Sequence, residues 1–165
     1  MISRYTKLQL EEQAASHLQH LVRTNLLSRD RHRQFGAATQ SEIIRGTFQQ
    51  IADQRQTHAS SLQRILWGNQ LHTSGTHRPQ HDQRTRENSN RETAVSVSER
   101  LAEALRTEDH VRAQYADVVK VIQGRAIRQL LQEQYADVQK CHRRLRELYA
   151  RTGASTNANM QESVR

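Results

Sequence analysis

A chain of 165 residues has the length of one ordinary domain, and nothing in its composition divides it into two. Apolar residues make up only 35% and aromatics 4%, so the core must be lean and aliphatic, with much of the chain as solvated helix surface or disorder. The formal net charge of +8 comes almost wholly from arginine, since Lys7, Lys120 and Lys140 are the only lysines, and such a balance favours acidic partners.

Four amphipathic helices are expected over about 8–35, 41–67, 94–123 and 126–150. The first carries Leu18, Leu21, Asn25, Ser28, His32 and Phe35 at spacings of three and four, and Gly36 closes it. Thr39 with Glu42 makes a capping box for the second, whose stripe is Ile44, Phe48, Ile51, Arg55, His58, Leu62 and Ile65, ending at Gly68. The short turn between them makes an antiparallel hairpin. Residues 69–92 hold the only proline and no periodic apolar pattern, so they read as a long mobile crossover link.

Ser96 with Glu99 caps the third helix, which carries Leu101, Leu105, Glu108, Arg112, Tyr115, Val119 and Ile122 before Gly124. The fourth follows with Ile127, Leu131, Gln134, Val138, His142, Leu145 and Tyr149, and residues 151–165 are expected to be a disordered polar tail. Two helical hairpins joined by one long link, over residues 1–150, have the connectivity of ferritin-like four-helix bundles.

Three stretches carry a family resemblance: FQQIADQRQTHASSL, TEDHVRAQY and IRQLLQEQYADVQKCHRRLREL. Together they resemble an uncharacterised bacterial branch of the ferritin-like superfamily, a domain of unknown function, over about residues 18–150. The resemblance implies an all-α antiparallel bundle and a stress-associated setting, and it lends no activity. Fold-level kinship does not assign function.

Di-iron members of that superfamily need a Glu on each of two helices and a Glu-x-x-His on each of the others, because three residues on a helix bring both ligands to one face. Here Gln139 stands three residues before His142, and Arg55 stands three before His58, so both motifs lack their carboxylate. At about 100° per residue, Glu133 lies on the solvent side of the fourth helix and Asp137 on its flank, both directed away from the core. Glu108 falls in mid-stripe. The inward polar set is therefore Arg55, His58, Glu108 and His142, with His32 as a further member. A guanidinium beside a dication is repulsive and cannot be deprotonated, so Arg55 needs an anion. A buried Arg55–Glu108 pair with hydrogen-bonded histidines, and no bound cofactor, is the favoured expectation. The alternative is an iron or manganese oxidoreductase site from His58, Glu108 and His142.

No phosphate-binding glycine loop, nucleophile elbow or paired inward carboxylates are present, and Cys141, the only cysteine, excludes an internal disulfide. Histidines His72, His77, His81 and His110 match no ligand spacing. MISRYTKLQLEEQAA lacks the apolar stretch of a signal peptide, and no run approaches the roughly 18 apolar residues that cross a bilayer, so a cytoplasmic protein without a membrane partner is expected. Polar residues on every core stripe leave a lone monomer marginal, which makes a homodimer the expected assembly. Arg84, Arg86 and Arg91 in the link are candidates for weak, nonspecific contact with nucleic acid or another polyanion.

Overall fold

The computed structural model describes residues 2–70 and 96–162, with side chains placed over 12–68 and 96–152. It holds four helices: α1 (Ile2–Ala37), α2 (Glu42–Gln70), α3 (Val97–Val121) and α4 (Arg125–Glu162). Among the described residues there is no strand, and no helix is long and apolar enough to cross a membrane.

Helix ends differ from the sequence expectation in ways that local chemistry explains. Residue α1 begins at Ile2 rather than near Leu8, and it runs through Gly36, which lies inside its last turn. A Cβ on Gly36 would sit 3.5 Å from Cβ of Phe48, an ordinary van der Waals contact, so the close packing of α1 on α2 here does not depend on the glycine. The α2 cap is Ser41, not Thr39: Ser41 Oγ accepts from the Ile44 amide at 3.5 Å, while the Thr39 hydroxyl is buried without a partner. At α3 the expected box is present, Ser96 Oγ accepting from Glu99 N at 3.2 Å and the Glu99 carboxylate accepting from Ser96 N at 2.8 Å. Helix α4 continues to Glu162, so the polar segment expected to be disordered from 151 is helical over all but its last three residues, which lie outside the described set. Its extension adds one hydrogen bond per residue to an existing helix, and no proline interrupts it. Most of the expected link, residues 71–95, lies outside the described residues.

Specific contacts give the register of neighbouring helices. Rising numbers on α1 meet falling numbers on α2, with Arg29 donating to Gln56 and the Phe35 and Phe48 rings 5.6 Å apart. The same reversal relates α3 to α4, through Asp109 with His142 and Tyr115 with Gln134. It relates α1 to α3, through Asn25 with Tyr115 and Arg31 with Glu103. It also relates α2 to α4, through Gln54 with Cys141 and His58 with Asp137. Of these four neighbouring pairs, α2 and α4 approach each other least.

The core divides into two apolar clusters. One gathers Leu18, Leu21, Leu62, Val111, Tyr115, Ile122, Leu131 and Val138; the other gathers Ile44, Phe48, Ile51, Leu101, Ala104 and Leu145. Buried polar residues occupy the level between them, Arg55 following Ile51 on α2 and Glu108 following Ala104 on α3. The buried face of α3 also includes Thr107, Val111 and Val118, whereas Leu105, Arg112 and Val119, expected on its stripe, are half-buried. Two flanking helices, α1 and α4, widen and turn that face. Tyr149, placed on the α4 stripe by its spacing, is 40% exposed.

Candidate functional site

The centre of the polar level is Glu108, fully buried on α3. One carboxylate oxygen, Oε1, accepts from Ser28 Oγ at 3.1 Å, from His32 Nε2 at 2.9 Å and from Arg55 Nε at 3.3 Å. The other, Oε2, accepts from Arg55 Nη2 in a close ion pair. Two helices, α1 and α2, thus supply donors to one anion on a third, and the guanidinium engages it with two nitrogens, the fork geometry that suits Arg to carboxylates.

Burial alone would push the Glu108 carboxyl up, but Arg55 beside it and the His32 hydrogen bond outweigh burial and hold it at about 2. The same competition acts on Arg55: burial disfavours its charge, and Glu108 reverses the effect and raises it. Both groups are charged in the fold, and each is the reason the other can be.

The remaining Arg55 nitrogen, Nη1, lies 3.3 Å from His58 Nδ1. Guanidinium can only donate, so Nδ1 is the acceptor and the His58 proton sits on Nε2, directed at Asp137 Oδ2 at 3.8 Å. Burial and then the Arg55 charge drive the His58 pKa down to about 4, against a partial opposing pull from Asp137. His32, also fully buried, stacks on Phe48 at 5.7 Å and meets the edge of Phe35 at 6.2 Å. Its Nδ1 has no hydrogen-bond partner among the described residues.

Below this level runs a second polar chain. Asn25 Nδ2 donates to Leu21 O at 2.8 Å and to the Tyr115 hydroxyl at 2.9 Å, and that hydroxyl donates to Gln134 Oε1 at 2.9 Å. Burial pushes the Tyr115 phenol up to about 12, so it stays a neutral donor. Cys141 donates to Gln54 Oε1 at 2.7 Å, and burial pushes its thiol up to about 11, which is the opposite of nucleophile activation.

Arg55, His58, Glu108 and His32 are thus brought together through shared hydrogen bonds. His142 does not join them: its Nε2 pairs with Asp109 Oδ1 at 3.1 Å, and the same oxygen accepts from Arg112 Nη2 at 2.9 Å. The ring turns toward α3, where the half-exposed Asp109 is the nearest anion. Asp137, placed on the flank and directed away from the core by its helical angle, in fact reaches His58, because that flank faces α2 across the bundle seam. The angle of about 100° from Val138 was the available signal, and it marked a helix boundary rather than solvent.

Of the set weighed for iron or manganese, His58 and Glu108 both bond to Arg55, and His142 turns to Asp109. Among the described residues no three His, Cys, Asp or Glu side chains are grouped to hold a metal ion. Arg84, Arg86 and Arg91, along with His72, His77 and His81, lie outside the described residues, and His110 is exposed. No protein-family model matches the chain, and no curated protein matches it.

Proposed function

We propose that the chain is a ferritin-like bundle of two antiparallel hairpins joined by a crossover, acting as a non-catalytic binding or structural protein. In it an ionic layer centred on Arg55 and Glu108 stands where the superfamily holds its metals. The reversed register of every neighbouring helix pair supports the antiparallel arrangement, and α1 beside both α2 and α3 supports the ferritin-like connectivity. One observation carries the functional part: both oxygens of Glu108 are occupied by donors from α1 and α2, one of them a permanent cation. A carboxylate so used is neither a free ligand nor a general base.

Metal analysis of protein purified without a histidine tag tests this. Substoichiometric iron, manganese and zinc, unchanged by aerobic reconstitution, is the expected result. A stoichiometric metal lost in Glu108→Gln would replace it with the oxidoreductase alternative. A homodimer belongs to the same proposal, supported by the buried polar residues Asn25, Arg55, Glu108 and Gln134, which leave a lean apolar core on all four helices. Sedimentation velocity showing only monomer at micromolar protein would remove that part.

A further inference from the structure

The charges of the bundle are balanced on one side and unbalanced on the other. Along α3, Arg106, Arg112 and Lys120 each pair with a carboxylate three residues earlier, and Arg31 of the adjoining α1 meets Glu103 at 3.3 Å. Along α4 the pattern differs. From Val138 to Arg151 the only acid is Glu147, while Arg143, Arg144 and Arg146 are all exposed within one turn. Arg144 reaches across the seam to α2 and donates to Gln50 Oε1, a neutral acceptor. Arg143 and Arg146 make no hydrogen bond or ion pair among the described residues. Three guanidinium groups against the single carboxylate of Glu147 leave this surface with an excess of positive charge, and the repulsion among them is relieved when an anion binds.

We propose that the outer face of α4 around Arg143, Arg144 and Arg146 binds the phosphate backbone of duplex nucleic acid, without reading its sequence. Guanidinium forks match phosphate oxygens in pairs. Arg143 and Arg146, three residues apart, stand about 5–6 Å from each other, so neighbouring phosphates of one strand lie within their reach, while Arg144 flanks them on the side toward α2. Between Asp137 and Glu147 there is no Phe, Tyr or Trp, and the single ring beside this surface, the 40% exposed Tyr149, offers no succession of stacking platforms for single-stranded bases. It equally lacks an exposed aliphatic side chain to enter a bilayer, since the exposed Leu27, Ile43, Trp67 and Val121 lie on the other three helices. The inference rests on the reading of the bundle as a binding protein and names its partner class.

The test is fluorescence anisotropy of a labelled mixed-sequence DNA duplex with full-length protein at low salt, followed by a salt titration. For the triple variant Arg143→Gln, Arg144→Gln, Arg146→Gln, the expected result is at least about tenfold weaker binding, with the log–log salt slope smaller by about 2.7, or roughly 0.9 per lost contact. Far-ultraviolet circular dichroism should be unchanged, since all three side chains are exposed. The control Arg31→Gln, Arg106→Gln should bind like the parent protein. Loss of binding in that control to the same degree would overturn the inference, because the charge would then act only in bulk. Tighter binding to a single strand of the same length, binding to phosphatidylserine vesicles in place of duplex, or no duplex binding at low salt would each overturn it as well. Metal uptake by the same preparation would remove the non-catalytic reading while leaving the duplex result as it stands, so the two failures are separable.

Discussion

Arg55 of α2 and Glu108 of α3 form a fully buried ion pair between helices whose backbones do not adjoin, two guanidinium nitrogens meeting the two oxygens of one carboxylate. The pair crosses the bundle diagonally, so it fixes the level at which the α1/α2 hairpin meets the α3/α4 hairpin. Desolvating both charges cancels much of the attraction, and a buried pair of this kind is weak evidence of net stability. Its energetic signature is coupling instead.

Removing either partner strands the other in a dry core. Arg55→Met and Glu108→Met are each expected to cost about 3–5 kcal/mol, whereas the double variant should regain most of that loss, less what Ser28 and His32 lose with their acceptor. Urea unfolding of the four species gives the coupling energy directly. Additive losses would mean that the two side chains do not interact in solution.

Stability should fall on acidification in two stages. His58 is held at about 4 in the fold against an ordinary 6.5. The unfolded chain therefore takes up that proton first, and stability drops as pH falls from 6.5 to 4, by about 3 kcal/mol in all. Glu108 is depressed to about 2 from an ordinary 4.5, so its contribution is complete above pH 4.5 and is lost as pH falls from there toward 2. Urea midpoints between pH 7 and pH 3 check both stages. His58→Gln should flatten the upper stage and leave the lower one; an unchanged upper stage would assign it to another group.

His142 should behave as a local tie between α3 and α4. Its partner Asp109 is half-exposed and shared with Arg112, so His142→Ala is expected to cost about 1–2 kcal/mol of packing and hydrogen bonding. Combined with Arg55→Met, the losses should add within about 0.5 kcal/mol, as for sites without a shared partner. Strong coupling in urea unfolding would place His142 back in the central layer.

Helical period made Arg55, His32 and Glu108 legible as inward residues, because each recurs with apolar neighbours at spacings of three and four. The capping box of Ser96 and Glu99 was legible for the same local reason. What the period lacks is the identity of the neighbour. His142 and Asp137 lie at the edges of the α4 stripe, where a side chain can turn to α3 or α2, and only the packed bundle decides. The α2 cap was misassigned because Thr39 and Ser41 both precede a glutamate or an apolar run at workable spacing, and the turn geometry selects Ser41. Residues 151–162 are polar but include the helix formers Arg151, Ala154, Ala158, Met160, Gln161 and Glu162, and an existing helix extends at little cost.

The Tyr115 hydroxyl gives the last prediction. It accepts from Asn25 of α1 and donates to Gln134 of α4, so one oxygen on α3 links two helices that do not touch. Tyr115→Phe keeps the ring and its contact with His58, whose centroid lies 6.2 Å away, and removes only that oxygen. Gln134 Oε1 then loses its donor, and Asn25, whose own Oδ1 already lacks a partner, loses an acceptor as well. Each stranded buried group costs about 1–3 kcal/mol, so Tyr115→Phe should destabilise by more than the roughly 1 kcal/mol net value of an ordinary hydrogen bond. Replacing Asn25 and Gln134 with Leu in the Tyr115→Phe background removes the stranded groups and should recover most of the loss, provided the added volume is accommodated. Urea unfolding of the single and triple variants decides it. A Tyr115→Phe loss below about 0.5 kcal/mol would show that the hydroxyl chain does not tie α1 to α4.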